Sequence, residues 1–253
     1  MTVKIRVMPT LLFRDVGLVK GVGFDSWRRT GSALQAIKVY NMREVDELVF
    51  LDIQATPDGR APDFAQVDEL ADECFMPMTV GGGVRNSDHI GGLLAVGADK
   101  VAINTAALAR PKLIEEGALR YGAQCIVISI DVLRRPDGRL EVMSQCGKQP
   151  TGRDPVEWAK EAEGLGAGEI LLTSVDRDGT FQGYDIPLTC KVVEAVKIPV
   201  IASGGCGTYQ HMAEVLRDGK ADAIAAASIF HFTEQTPKEA KQYLKGQGFN
   251  VRL

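Results

Sequence analysis

Eight short runs of aliphatic and β-branched residues recur along the chain at fairly even intervals. They lie at 5–11 (IRVMPTL), 47–53 (ELVFLDI), 77–81 (PMTVG), 99–103 (DKVAI), 125–131 (CIVISID), 169–174 (EILLTS), 198–202 (IPVIA) and 222–227 (DAIAAA). Amphipathic stretches fill most of the gaps. SALQAIKVYNMREV (32–45) and DPVEWAKEAEGLG (154–166) place apolar residues at i, i+3 and i+4, the spacing of one helical face. Asp154 before Pro155 reads as an N-cap followed by proline at the first helical position. The runs themselves are apolar almost throughout, as strands are when both faces are buried. Eight strand–helix units in 253 residues predict an α/β fold, a (β/α)8 TIM barrel. No Pro/Ser-rich linker interrupts the chain, so one domain over 1–253 is expected.

The two halves echo each other. ELVFLDI at 47 matches EILLTSV at 169, and GGG at 81 matches SGG at 203, both 122 positions apart. GADKVAINTAA (97–107) echoes KADAIAAASIF (220–230). A period near half the chain predicts a two-fold repeated barrel with two equivalent ligand sites. TVGGGV (79–84) and AINTAA (102–107) follow the third and fourth strands; IASGGCG (201–207) and AAASIF (225–230) follow the seventh and eighth. Glycine turns let backbone N–H groups approach an anion without a Cβ in the way. The position after strands 7 and 8 is a common phosphate site in such barrels. Two glycine pairs related by the repeat predict a ligand with two phosphates across the barrel mouth. Tight βα turns without a ligand are the alternative.

Composition closes off other classes. A net charge of −4 argues against wholesale nucleic-acid binding. No apolar run nears the roughly 18 residues of a membrane span, and MTVKIRVMPT lacks a signal-peptide core, so a cytoplasmic protein is expected. The five cysteines and three histidines have no metal-ligand spacing, so neither a metal nor a cofactor is expected. Cys125 and Cys190, set beside apolar residues, are read as small core residues.

Several of these stretches together identify a family. LVKG (18–21), DELVFLDI (46–53), TVGGGV (79–84), GADKVAINTAA (97–107), GAGEILLTSVDRDGT (166–180), GYD (183–185), IASGG (201–205) and NVRL (250–253) closely resemble HisF, the cyclase subunit of imidazole glycerol phosphate synthase. The resemblance implies a HisH-like glutaminase docked on the N-terminal face of the barrel, with ammonia passing through the core. It places Arg6, Glu47, Lys100 and Glu169 in a charged gate at the barrel floor. Four charges there are costly unless paired, and two acids with two bases can pair completely. The resemblance puts Lys20 in a flexible first loop. Asp178, Gly179, Ser203, Gly204, Gly205 and Ser228 fall on one phosphate side, and Gly82, Gly83, Asn104 and Thr105 on the other.

One position departs from the family. HisF-like cyclases carry catalytic aspartates at the ends of strands 1 and 5, one donating a proton while the other accepts. Asp131 matches the second, but Leu12 stands at the first. Asp15 lies three positions on, inside the loop. A leucine-rich first strand end followed by GLVK and EVDELVFLDI is similar to a HisF-like branch of bacterial surface-polysaccharide clusters. That likeness implies ammonia delivery to a separate sugar amidotransferase that amidinates a nucleotide sugar. The other expectations are a true imidazole glycerol phosphate synthase cyclase of histidine biosynthesis, and a non-catalytic barrel that holds a phosphorylated small molecule.

Overall fold

The computed structural model describes residues 4–253; the first three residues of the segment read for a signal peptide lie outside them. Twelve strands form within that range: β1 (Arg6–Arg14), β2 (Gly17–Val22), β3 (Asp25–Gly31), β4 (Leu48–Asp52), β5 (Met78–Gly81), β6 (Lys100–Ile103), β7 (Ile126–Arg134), β8 (Leu140–Ser144), β9 (Gln149–Pro150), β10 (Glu169–Ser174), β11 (Val200–Ser203) and β12 (Ala223–Ala226). Eight of them run parallel in the order β10-β11-β12-β1-β4-β5-β6-β7, and β7 pairs back onto β10. The eight parallel strands therefore close into a barrel. This is the expected (β/α)8 barrel, with all eight predicted runs as its staves.

Helices cover the outside, and local side chains set where several of them start. Asp63, Asn86, Asp185 and Thr208 each accept a hydrogen bond from the backbone N–H three residues on. Asp154 caps the helix Pro155–Gly164 by accepting from Val156 N and Glu157 N, as its sequence predicts. Thr236 and Glu239 form a reciprocal capping box. Each cap satisfies amide groups that the first helical turn leaves without an intrahelical partner.

Alternation along a strand sorts side chains between the helix layer and the barrel axis. On β1, Val7, Leu11 and Phe13 join the outer cores, while Met8 packs along the axis. Ile5 bridges to Val251, so a late segment of the chain sits beside the start of β1.

Two hairpins depart from the plain βα pattern. After β1 the chain turns at Asp15, in left-handed backbone (φ 57°), and runs antiparallel through β2 and β3. The first loop is thus folded as a hairpin, and Lys20 lies on its strand β2. A second hairpin, β8–β9, folds back on the end of β7. Cys125 and Cys190 are half-buried rather than core; Cys206 is the buried cysteine. Cys125 ends a short turn of 3-10 helix before β7, so its side chain stays at the rim of the apolar layer. Among the described residues, no helix is long and apolar enough to cross a membrane.

Candidate functional site

The two-residue repeat of the strands stacks the barrel axis into layers. Arg6, Glu47, Lys100 and Glu169 stand at or just before the starts of β1, β4, β6 and β10. Two residues further along these strands lie Met8, Val49, Ala102 and Leu171, all members of one interior apolar cluster. Two further on lie Thr10, Leu51, Asn104 and Thr173, which line the mouth. Leu12 stands one step higher still.

The four floor residues form a closed ring. Arg6 bonds Glu47 Oε2 at 2.6 Å and also pairs with Glu169. Lys100 Nζ bonds Glu47 Oε1 at 2.9 Å and Glu169 Oε2 at 2.8 Å. Thr79 Oγ1 donates a further bond to Glu47 at 2.8 Å. Burial pushes the Glu169 carboxyl up, but Arg6 and Lys100 outweigh it and hold the group below the usual range. Two buried carboxylates and two cations thus compensate each other, which such burial requires. Above them the interior cluster is apolar, and three of its members are alanines, Ala102, Ala223 and Ala225.

The mouth opens at the C-terminal ends of the strands as a cleft of about 1170 Å³. Asp131 on β7 is 8% exposed and accepts one bond, from Asn104 Nδ2 at 2.7 Å. Burial pushes its carboxyl up to about 7, the Asn104 bond draws it back, and the charge of Asp178 adds to the rise. Near neutral pH it therefore holds and releases a proton readily, as a general acid or base must. Leu12 lines the same cleft and is also 8% exposed. It offers no proton. Asp15 sits on the turn beyond β1, 65% exposed and paired with Arg14, and is not part of the cleft lining.

The glycine turns flank this cleft. Gly82 and Gly83 adopt φ of 111° and 71°, and Gly204 and Gly205 adopt 92° and 98°, so the same backbone form recurs in both halves. A Cβ on Gly82 would lie 2.2 Å from the Asp52 carbonyl oxygen, and one on Gly205 would lie 2.2 Å from that of Gly183. Glycine is the residue these close approaches admit. Gly83 N–H is already given to Thr56 Oγ1 at 3.2 Å, and Thr105 Oγ1 accepts from Gln145 N at 3.0 Å. Ser228 Oγ, Asn104 Oδ1 and Thr10 Oγ1 are buried polar atoms without a hydrogen-bond partner, and all three residues line the cleft. Buried polar atoms are rarely left so, unless water or a ligand completes them.

Lys20 and Asp178 meet across the mouth, with Nζ 2.5 Å from Oδ2 and the lysine 2% exposed. Gly23 N also donates to the Asp178 carbonyl at 2.9 Å. Burial pushes the Asp178 carboxyl up, and Lys20 offsets this only in part. The β2–β3 hairpin is thereby latched over the site. Gly179, Ser203 and the Gly204–Gly205 turn line the cleft beside this pair.

Sequence reasoning missed Phe24, Trp27 and Cys146, which also line the cleft. The first two sit on the unforeseen hairpin. Cys146 follows β8, and its Sγ bonds the Ile53 carbonyl at 3.1 Å. Burial pushes this thiol up to about 12, so it stays protonated and unreactive.

Fold and site together define a (β/α)8 barrel with its axis layered from a paired ionic floor to a polar mouth that holds one readily titrating carboxyl. The family model described as histidine biosynthesis protein matches residues 6–236. The chain belongs to that family, and the match supports a HisF-like barrel.

Proposed function

We propose that the chain is the HisF-like synthase subunit of a glutamine amidotransferase complex, with its own cyclase chemistry lost or reduced. The carrying observation is the mouth itself: apolar Leu12 stands where a HisF-like cyclase has its first acid, beside a complete Asp131–Asn104 pair and a complete floor. Losing one proton-transfer group costs about 10²–10⁴-fold in rate. In this reading ammonia enters at the floor from a HisH-like glutaminase, passes the Arg6–Glu47–Lys100–Glu169 ring and the apolar layer, and serves a separate amidotransferase. That enzyme amidinates a nucleotide sugar for surface polysaccharide of the O-antigen type. The complex works in the cytoplasm.

Exposed apolar residues near the floor support a docked partner. Met42 and Phe75 are 75% and 84% exposed, and they sit just before β4 and β5. Asn41 ties the two segments together, donating to the Glu73 carbonyl at 2.7 Å and accepting from Phe75 N at 3.1 Å. Exposed apolar side chains that cluster on one face are a mark of interaction surfaces. At the mouth, Lys20, Asp178, Gly179, Ser203, Gly204, Gly205 and Ser228 take one phosphate of a ligand in this reading. Gly82, Gly83, Asn104 and Thr105 take the other.

The second reading is a genuine imidazole glycerol phosphate synthase cyclase of histidine biosynthesis. The Asp131 carboxyl, pushed up to about 7 and free to act as either acid or base, favours it. The deciding experiment is a cyclase assay with the family's ribonucleotide substrate and saturating ammonium salt, which bypasses the glutaminase. No turnover with ligand still bound is expected. Turnover at a rate normal for such cyclases overturns the first reading in favour of the second. For the gate, Lys100→Ala is expected to uncouple glutamine use from product formation in the complex, and unchanged coupling removes that assignment.

A further inference from the structure

A second cleft of about 680 Å³ opens outside the mouth, on the side of the Gly82–Gly83 turn. It shares Thr56, Gly83 and Thr105 with the main cleft, so the two are continuous. Three arginines line it, Arg60, Arg85 and Arg110, and no carboxylate does among the described residues. The carboxylates that pair with them, Asp52, Asp58 and Glu116, stand outside the cleft lining.

The guanidinium groups are only partly engaged. Arg60 reaches Asp52 at 3.3 Å and Asp58 at 3.4 Å, both at the long end of ion-pair contact. Arg110 spends one nitrogen on Glu116 at 2.6 Å. Arg85 is exposed and makes no ion pair among the described residues. Each guanidinium carries five N–H donors, so most of the donor capacity in the cleft is unspent. Arg85, with no ion pair among the described residues, is the guanidinium of the three most open to an anion. The cleft is also fixed to the glycine turn, since a Cβ on Gly83 would lie 2.7 Å from the Arg60 carbonyl oxygen.

We propose that this side of the mouth binds a diphosphate, of the kind a nucleoside diphosphate ligand carries, rather than a single phosphate. One phosphoryl group sits at Gly82, Gly83, Asn104 and Thr105, and the next is held in the outer cleft by Arg60, Arg85 and Arg110. The proposal rests on the reading of the glycine turn as a phosphate site. Guanidinium groups suit the outer position because they grip phosphate oxygens in pairs, with directional bonds.

The test is calorimetric titration of the full chain with inorganic phosphate and with inorganic pyrophosphate. It is repeated on Arg85→Ala/Arg110→Ala and on Arg120→Ala, a surface control outside the cleft. Pyrophosphate is expected to bind about tenfold more tightly than phosphate, a margin in keeping with added charge-assisted bonds. The double variant should lose that margin while keeping its affinity for phosphate, and the control should keep both. Arg85→Gln, which breaks no ion pair, should shrink the margin without touching the fold. Equal affinity for the two anions, or a margin that survives in the double variant, overturns the outer site and leaves the inner one standing. Binding of neither anion removes the phosphate reading of the glycine turn and the outer site with it.

Discussion

At the barrel floor Glu47 receives hydrogen bonds from Arg6, Lys100 and Thr79, whereas at the mouth Asp131 receives one side-chain bond, from Asn104. Both acids are buried, and both lie on the same axis only a few residues apart in strand register. The floor satisfies its charges internally. The mouth leaves Ser228 Oγ, Asn104 Oδ1 and Thr10 Oγ1 without partners, and burial keeps a proton on Asp131 up to about pH 7. A ring completed from within holds its geometry with or without a ligand. A cleft with unspent donors and acceptors is completed only by what it binds.

Breaking the floor should have the largest effect. Glu169→Ala leaves Arg6 and Lys100 sharing one acid, and a loss of about 3 kcal/mol of unfolding free energy is expected. Denaturant titration measures it; a loss under about 0.5 kcal/mol, typical of an exposed pair, would mean water already screens the ring. Next, Leu12→Asp restores the missing acid. Ammonium-dependent cyclase turnover should rise about 10²-fold if the rest of the mouth is intact. No gain would show that more than this one position has diverged.

Asp131→Asn sharpens the contrast through pH. The unfolded chain releases this proton near pH 4, while the folded chain keeps it to about 7. Across that window the folded state binds more protons, so the wild type loses stability as pH rises and levels off above it. The variant does not titrate there. Its stability relative to wild type should therefore improve by about 2–3 kcal/mol between pH 5 and pH 8. Parallel pH profiles for the two proteins would place Asp131 in a wetter site than its burial indicates. The smallest effect is expected for Ser228→Ala, which removes a hydroxyl with no partner. A change within about 0.5 kcal/mol, or a slight gain, is expected. A clear loss of stability would mean the hydroxyl is satisfied in solution.

The staves of the barrel were legible because burial on both faces writes itself as apolar runs, whereas the four floor charges were singled out by the family resemblance and not by any local pattern. The β7–β8 hairpin also left a signal: RPDGR at 135–139 is a turn sequence, and Gly138 N bonds the Arg135 carbonyl at 2.8 Å. The β2–β3 hairpin left none. DSWRRTG on β3 has neither an apolar run nor clean alternation, because it covers the mouth rather than lining a core. The Lys20–Asp178 latch joins residues 158 positions apart, and no local pattern encodes such a meeting. Phe24 and Trp27 entered the cleft with that hairpin and were hidden for the same reason.

The layering of β1 ties the two ends of the axis to a single reading frame. Arg6, Met8, Thr10 and Leu12 alternate with Val7, Leu11 and Phe13, so inward and outward sets are fixed together. Deleting Val7 forces a choice. If the strand keeps its pairing above the gap, Arg6 swings outward and the ring at the floor loses a cation. If Arg6 stays in the ring, Met8, Thr10 and Leu12 all turn to the helix side and the mouth loses its wall. The cost of such a deletion falls on one end of the barrel axis or the other and shifts several layers at once, whereas a substitution at any of these positions alters a single layer.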